Sequence, residues 1–263
     1  MLNTIEATLI ELGASPDVRA RAEHLLEVLT TRFHDAEHLA MLERALALSL
    51  RCADGTDREG TPYFIHIADV TGNVLEWYEN RDDAEVVAAA LLHDSVEDAP
   101  ERLADTGAGS GADVREQALA AIAGQLSLRV ADLVRAVTNP NFKELIAARH
   151  GYAYESSPYD ATLLNMYCQH LVDLCERGPL DAAVIKFADM RDNAVTVGES
   201  KSEGTYAWRV RKYRPTVAYA REFLRARVDA DHPVARAAAA LLPEFDAAWE
   251  AFYAARPRPA SRG

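Results

Sequence analysis

Apolar residues recur along this chain at spacings of three and four. Leu25, Leu26, Val28 and Leu29 form one stripe, and Leu39, Leu42, Leu46 and Leu50 form the next. That period predicts amphipathic α-helices. A polar, Gly-containing break from Ala53 to Gly60 follows, and Pro62-Tyr63-Phe64-Ile65-His66 leads into another helical run to about Tyr78. Asp82 or Asp83 stands where an N-cap belongs, and Glu85 lies three residues after Asp82, close to a capping box. The segment behind it, Val86 to Leu92, is apolar on all sides, which predicts a buried helix.

Further helices are predicted over residues 118–137, 160–177, 180–197, 205–227 and 232–254, each bound taken as approximate. Residues 105–113 (DTGAGSGAD) predict a Gly-rich surface loop, Asn139-Pro140-Asn141 ends a helix, and residues 150–159 predict an irregular stretch. Arg211-Lys212-Tyr213-Arg214-Pro215 predicts a kink or break at Pro215. No segment alternates with period two, no internal repeat stands out, and no Pro/Ser linker divides the chain. The expectation is an all-α fold in one domain over residues 1–256. Its first 35 residues form a helical extension, and residues 257–263 form a disordered tail.

Composition narrows the functional classes. The chain has 263 residues, enough to bury a core without covalent staples. Its three cysteines, Cys52, Cys168 and Cys175, form no CxxC pair and read as packing residues in a reducing setting. The N-terminus lacks a basic segment followed by a long apolar run, and no apolar run approaches the roughly 20 residues of a membrane span. A cytoplasmic protein with no membrane partner is expected. The formal net charge of −13 argues against non-specific nucleic-acid binding, which rests on Lys and Arg neutralising phosphates. A small anionic substrate remains compatible, because a local basic cluster can reverse the potential within one cleft.

The candidate chemistry lies in three segments. Leu91-Leu92-His93-Asp94-Ser95-Val96-Glu97-Asp98 follows the apolar run. On a continuous helix His93 would share a face with Glu97, and Asp94 with Asp98. Three carboxylates and an imidazole in little more than one turn repel or stay unpaired unless a cation joins them, or unless the helix end is solvated. Asp189 lies in Ile185-Lys186-Phe187-Ala188-Asp189-Met190-Arg191-Asp192-Asn193, inside a helix that should be core. A buried Asp there needs a cation or several donors, with Lys186 or Arg191 as alternative partners. His66 follows an apolar run and by itself reads more readily as a hydrogen-bonded core residue. Together, two imidazoles and two carboxylates form a mixed N/O set that suits Mn, Fe, Co or Zn better than Ca.

The order and wording of these segments resemble a known family. His93-Asp94 with the later Asp189 resembles the HD-superfamily signature, and His66 completes its H…HD…D set. Residues 60–66 (GTPYFIH), 89–98 (AALLHDSVED), 130–138 (VADLVRAVT) and 185–193 (IKFADMRDN) are similar to segments of the hydrolase domain of RelA/SpoT homologs and of small alarmone hydrolases. The matching segments span residues 50–200. The resemblance implies a compact HD-type helical bundle with a metal, usually Mn²⁺, on His66, His93, Asp94 and Asp189. It implies Glu97 and Asp98 as the pair activating water. Asn193 and Thr196 would contact the nucleoside, and Arg58 the substrate. The reaction implied is removal of the 3′-pyrophosphate from ppGpp or pppGpp.

Arg58, Lys186 and Arg191 are candidates to offset phosphate charge, Lys186 being equally a structural residue. Arg209, Arg211, Lys212 and Arg214 form a basic run, either a solvated face or a segment over phosphates. The chain departs from the family at Glu59, where Lys is common, and at Ile67, where Pro commonly follows the His. Glu59 agrees with an alternative, an HD-type phosphatase of another nucleotide or dinucleotide cofactor, which needs less positive charge. A non-catalytic nucleotide-binding regulator is the third reading. The sequence leaves the oligomeric state open.

Overall fold

The computed structural model describes residues 2–53, 55, 60–79, 81–104, 113–152, 156–195 and 203–254. Every regular element among them is an α-helix and none is a strand, so the all-α expectation holds. The helices gather into two compact units.

The first unit comprises residues 1–140 and 176–188. It contains α1 (Leu2–Glu11), α2 (Pro16–Arg32), α3 (Ala36–Cys52), α4 (Tyr63–Trp77), α5 (Ala84–Leu91), α6 (Ser95–Asp98), α7 (Pro100–Leu103), α8 (Val114–Gln125) and α9 (Leu128–Val137). The apolar run forms its centre. Val86 to Leu92 are each 0 % exposed, and α5 packs against α3, α4 and α9. Three consecutive alanines at its middle let those neighbours approach closely. The N-terminal extension is two helices, and Ile5, Leu9, Leu25, Leu26 and Leu29 join the buried set.

Local polar residues start these helices as their chemistry dictates. Ser15, Asp35 and Asp83 cap α2, α3 and α5 by accepting from backbone N–H groups. Asp83, not Asp82, is the cap of α5. Glu85 does not close a capping box but accepts from Ser127 Oγ at 2.6 Å and from Arg129 at 2.9 Å. At the other end of α4, the Arg32 guanidinium donates to the Leu75, Tyr78 and Arg81 carbonyls, the last at 2.9 Å. Those include carbonyls that a helix end leaves without an intrahelical donor.

Arg129 joins three elements. It donates to Asp83 at 2.7 and 2.8 Å, to Glu85 at 2.9 Å and to Asp181 at 2.9 Å. Asp181 also accepts from the Tyr78 hydroxyl at 2.5 Å. Replacing Arg129 by Ala leaves three carboxylates facing one another. The guanidinium is partly exposed, so solvent screens part of the loss. An unfolding free energy lower by about 1–2 kcal/mol is expected in urea titrations. A variant as stable as wild type would show that solvent screens the cluster completely.

Three expectations need correction. The run through 98 is not one helix, since α5 ends at Leu91 and α6 starts at Ser95. Residues 118–137 split between α8 and α9, because Ser127 caps a new start by accepting from Val130 N at 3.1 Å. In the second unit, Pro215 lies inside the continuous helix α13, so of the kink or break expected there the break does not occur.

The second unit comprises residues 141–175 and 189–263. It holds α10 (Phe142–His150), α11 (Ser157–Arg177, whose last two residues fall in the first unit), α13 (Glu203–Arg225) and α14 (Val234–Ala254), with α13 packed on α14. The helix α12 (Leu180–Val195) carries the dividing line between Ala188 and Asp189. Lys212, from the basic run, places its ammonium over the rings of Tyr167 at 4.2 Å and Tyr213 at 4.9 Å. That position satisfies its charge by cation–π contact. The cysteines are free, and burial pushes the Cys52 thiol up to about 11, as expected of packing residues. No helix among the described residues is long and apolar enough to cross a membrane.

Candidate metal centre

The break between α5 and α6 shapes the site. Adjacent residues of a straight helix point roughly 100° apart. At the end of α5 the chain tightens instead. Leu92 N donates to Ala89 O at 3.2 Å, and Ser95 N to Leu92 O at 3.0 Å, both spanning three residues. Leu92 and Asp94 take φ/ψ of −111/8° and −101/−7°, outside the regular helix. The turn brings His93 and Asp94 to one point: His93 Nε2 lies 3.1 Å from Asp94 Oδ2.

His66, on the first turn of α4, faces the same oxygen. Its Nε2 is 3.5 Å from Asp94 Oδ2, and its ring centroid is 5.3 Å from that of His93. Asp189, the residue after Ala188 on α12, completes the group. One donor atom from each of His66, His93, Asp94 and Asp189 lies within 4.8 Å of every other. The four residues proposed from the sequence are therefore brought together.

The donor set fits a divalent transition-metal ion. Ligand distances of about 2.0–2.2 Å allow opposite donors roughly 4.4 Å apart, so closure around one ion needs shifts of a few tenths of an ångström. The tautomer of His93 is also suitable. Its Nδ1 lies 2.9 Å from Ala90 O, and a carbonyl can only accept, so Nδ1 carries the proton. The nitrogen facing Asp94 is then the one able to present a lone pair. Asp189 is oriented by the Asn193 amide, which donates to its Oδ1 at 2.6 Å and to its carbonyl at 3.1 Å. Burial alone would raise the Asp94 carboxyl, but His93 and His66 outweigh it and hold it well below the usual carboxylate range. A divalent cation at the same point exerts the same pull more strongly.

The two further acids behave differently. Glu97 turns to Asn139, whose backbone N–H and side-chain amide both donate to Oε2, at 3.2 and 2.8 Å. Arg115 holds Asn139 in turn, donating to its carbonyl at 2.8 Å. Asp98 is exposed as a residue, yet its carboxyl lines a small cavity with Tyr63 and Asp94. Desolvation there, with the charges of Asp94 and Glu97, pushes it up to about 6. Two acids held by different partners beside one donor set can divide proton acceptance between them.

Lys186 is only 3 % exposed, within the buried face of α12. Arg191 is held by Glu244 in a two-bond pair at 2.7 and 2.8 Å. Asn193 spends its amide on Asp189, as above. Arg58, Glu59 and Thr196 lie outside the described residues.

Tyr63 and Asn139 were not assigned roles from sequence. Tyr63 carried a signal, since it sits three residues before His66 on one helix face. Asn139 carried none, because its partner is 42 residues away. No family model, curated protein or solved structure matches this chain.

Proposed function

We propose that this protein is an HD-type metal-dependent phosphohydrolase that removes the 3′-pyrophosphate of ppGpp or pppGpp. The convergence of His66, His93, Asp94 and Asp189 is the observation that carries the reading. Those residues occupy the positions at which the segments of this chain resemble the H…HD…D set. The ion is Mn²⁺ or a neighbouring transition metal, given two imidazoles and two carboxylates. Such an ion supplies Lewis acidity at the phosphoryl group.

The chain's own residues do the rest. Glu97, held through one oxygen by Asn139, keeps the other oxygen to accept a proton from the attacking water. Asp98 acts as its partner. Arg58 and Lys186 offset charge developing on the phosphates, and Asn193 and Thr196 contact the nucleoside side of the pocket. Asn193 combines that role with orienting Asp189. The protein acts in the cytoplasm on a small nucleotide, without a membrane or nucleic-acid partner.

The test is a product assay. Protein stripped of metal and reloaded with Mn²⁺ is incubated with ppGpp, and pyrophosphate and orthophosphate are both quantified. Mn²⁺-dependent pyrophosphate with GDP is expected. Orthophosphate release, from ppGpp or from a nucleotide monophosphate panel, would favour the other HD-type phosphatase, a reading to which Glu59 adds weight. Metal binding without turnover of any nucleotide would leave a nucleotide-binding regulator.

A further inference from the structure

Tyr63 is not a ligand, yet its hydroxyl reaches directly into the proposed donor set. It begins α4 three residues before His66, and the two rings lie 5.5 Å apart, tilted by 42°. Its hydroxyl donates to Asp94 Oδ2 at 2.5 Å. That oxygen is also the one facing both imidazoles, at 3.1 and 3.5 Å. A carboxylate oxygen carries two lone pairs, so the phenol can take one while the other points into the cluster.

The Asp98 carboxyl lies beside the same phenol, at the cavity that Tyr63 and Asp94 also line, while the single phenol proton goes to Asp94. The phenol therefore stands between a carboxylate of the donor set and one outside it. Tyr63, Asp94 and Asp98 line a cavity of about 10 Å³ together with Ser49, Cys52, Ile67 and Ser95. That space admits about one water, which leaves little freedom for a carboxylate to swing through it. The terminal torsion of an Asp side chain is otherwise soft and roughly two-fold. Without the phenol, either Asp94 oxygen can face the ion, and Asp98 can compete for the same place.

We propose that Tyr63 is a positioning residue that holds Asp94 in its ligating orientation and keeps Asp98 out of the donor set. The inference rests on the metal-centre reading above. Asp98 is thereby left for proton acceptance.

The experiment uses Co²⁺ as the probe, because its visible absorption reports ligand geometry. The full-length wild type and Tyr63→Phe are titrated with Co²⁺ well below their melting temperatures, so lost stability does not enter. Tyr63→Phe is expected to bind about 10–100-fold more weakly, the usual cost of losing a partner of a metal ligand. Its visible bands should be altered, and adding Asp98→Asn should restore them in part by removing the competing carboxylate. Independently of any variant, Co²⁺ should perturb the near-ultraviolet tyrosine absorption of the wild type. Equal affinity and identical bands in Tyr63→Phe would overturn the inference, as would an unperturbed tyrosine spectrum at saturation. If the wild type binds no Co²⁺, the metal-centre reading itself fails and takes this inference with it.

Discussion

Asp94→Ala is expected to abolish metal-dependent stabilisation and turnover together. Asp94 Oδ2 is the point on which His66, His93 and Tyr63 converge, and no neighbouring carboxylate replaces it without moving. Loss of an outer partner of a ligand already costs about 10–100-fold in affinity, so loss of the ligand costs more than ~10²-fold. A ligand at a hundred times its dissociation constant stabilises the folded state by about 2.7 kcal/mol. For a chain of this size that is roughly 5–10 °C in melting temperature. Wild type should therefore melt several degrees higher with Mn²⁺, and Asp94→Ala should not respond. An equal Mn²⁺ shift in both proteins would place the ion elsewhere.

Glu97→Gln tests the chemistry without dismantling the centre. Asn139 grips Glu97 through Oε2, and Gln can keep that contact through its carbonyl oxygen. What it loses is the basic lone pair. General base catalysis contributes about 10²–10⁴-fold, and that is the expected fall in kcat, with Mn²⁺ affinity unchanged. The pH dependence has a defined sign. Asp98, pushed up to about 6 by burial and by Asp94 and Glu97, accepts protons only when ionised. The rate should therefore climb as pH rises and level off above the Asp98 midpoint. A nearby divalent cation stabilises the carboxylate, which sets that midpoint at or below about 6. A profile that begins to climb only above pH ~7, or a Glu97→Gln protein with full kcat, would remove these acids from the mechanism.

The departures from the sequence-based reading have specific causes. The apolar run 86–92 implied a continuous helix into Asp98, since nothing in Leu92-His93-Asp94 is a helix breaker. The turn there is set by packing and by His93, whose Nδ1 and backbone N–H both face the Ala90 carbonyl. The helix α10 was not expected from the apolar pattern, although its ends carry local boundary residues. Asn141 accepts from Glu144 N at 3.3 Å, and Gly151 closes the helix at φ +63°. Both are recognised boundary residues. Ser127 likewise caps the start of α9, a boundary that the single helix expected over 118–137 ran through. At Pro215 the local signal left a kink or a break open, and α13 runs through it without a break.

The sequence by itself determined the all-α class, the buried central helix and the four residues that converge as a possible metal site. Helical period and burial demand are short-range properties, and a buried His-Asp pair announces an unmet charge wherever it lies. Only the tertiary structure decided which side chains serve those donors. Tyr63 meets Asp94 across 31 residues, Asn139 meets Glu97 across 42, and Arg129 meets Asp181 across 52. Such pairs depend on how helices pack, and no local pattern carries that information. The same packing turns adjacent His93 and Asp94 toward one point, which a straight helix cannot do because its neighbouring side chains diverge.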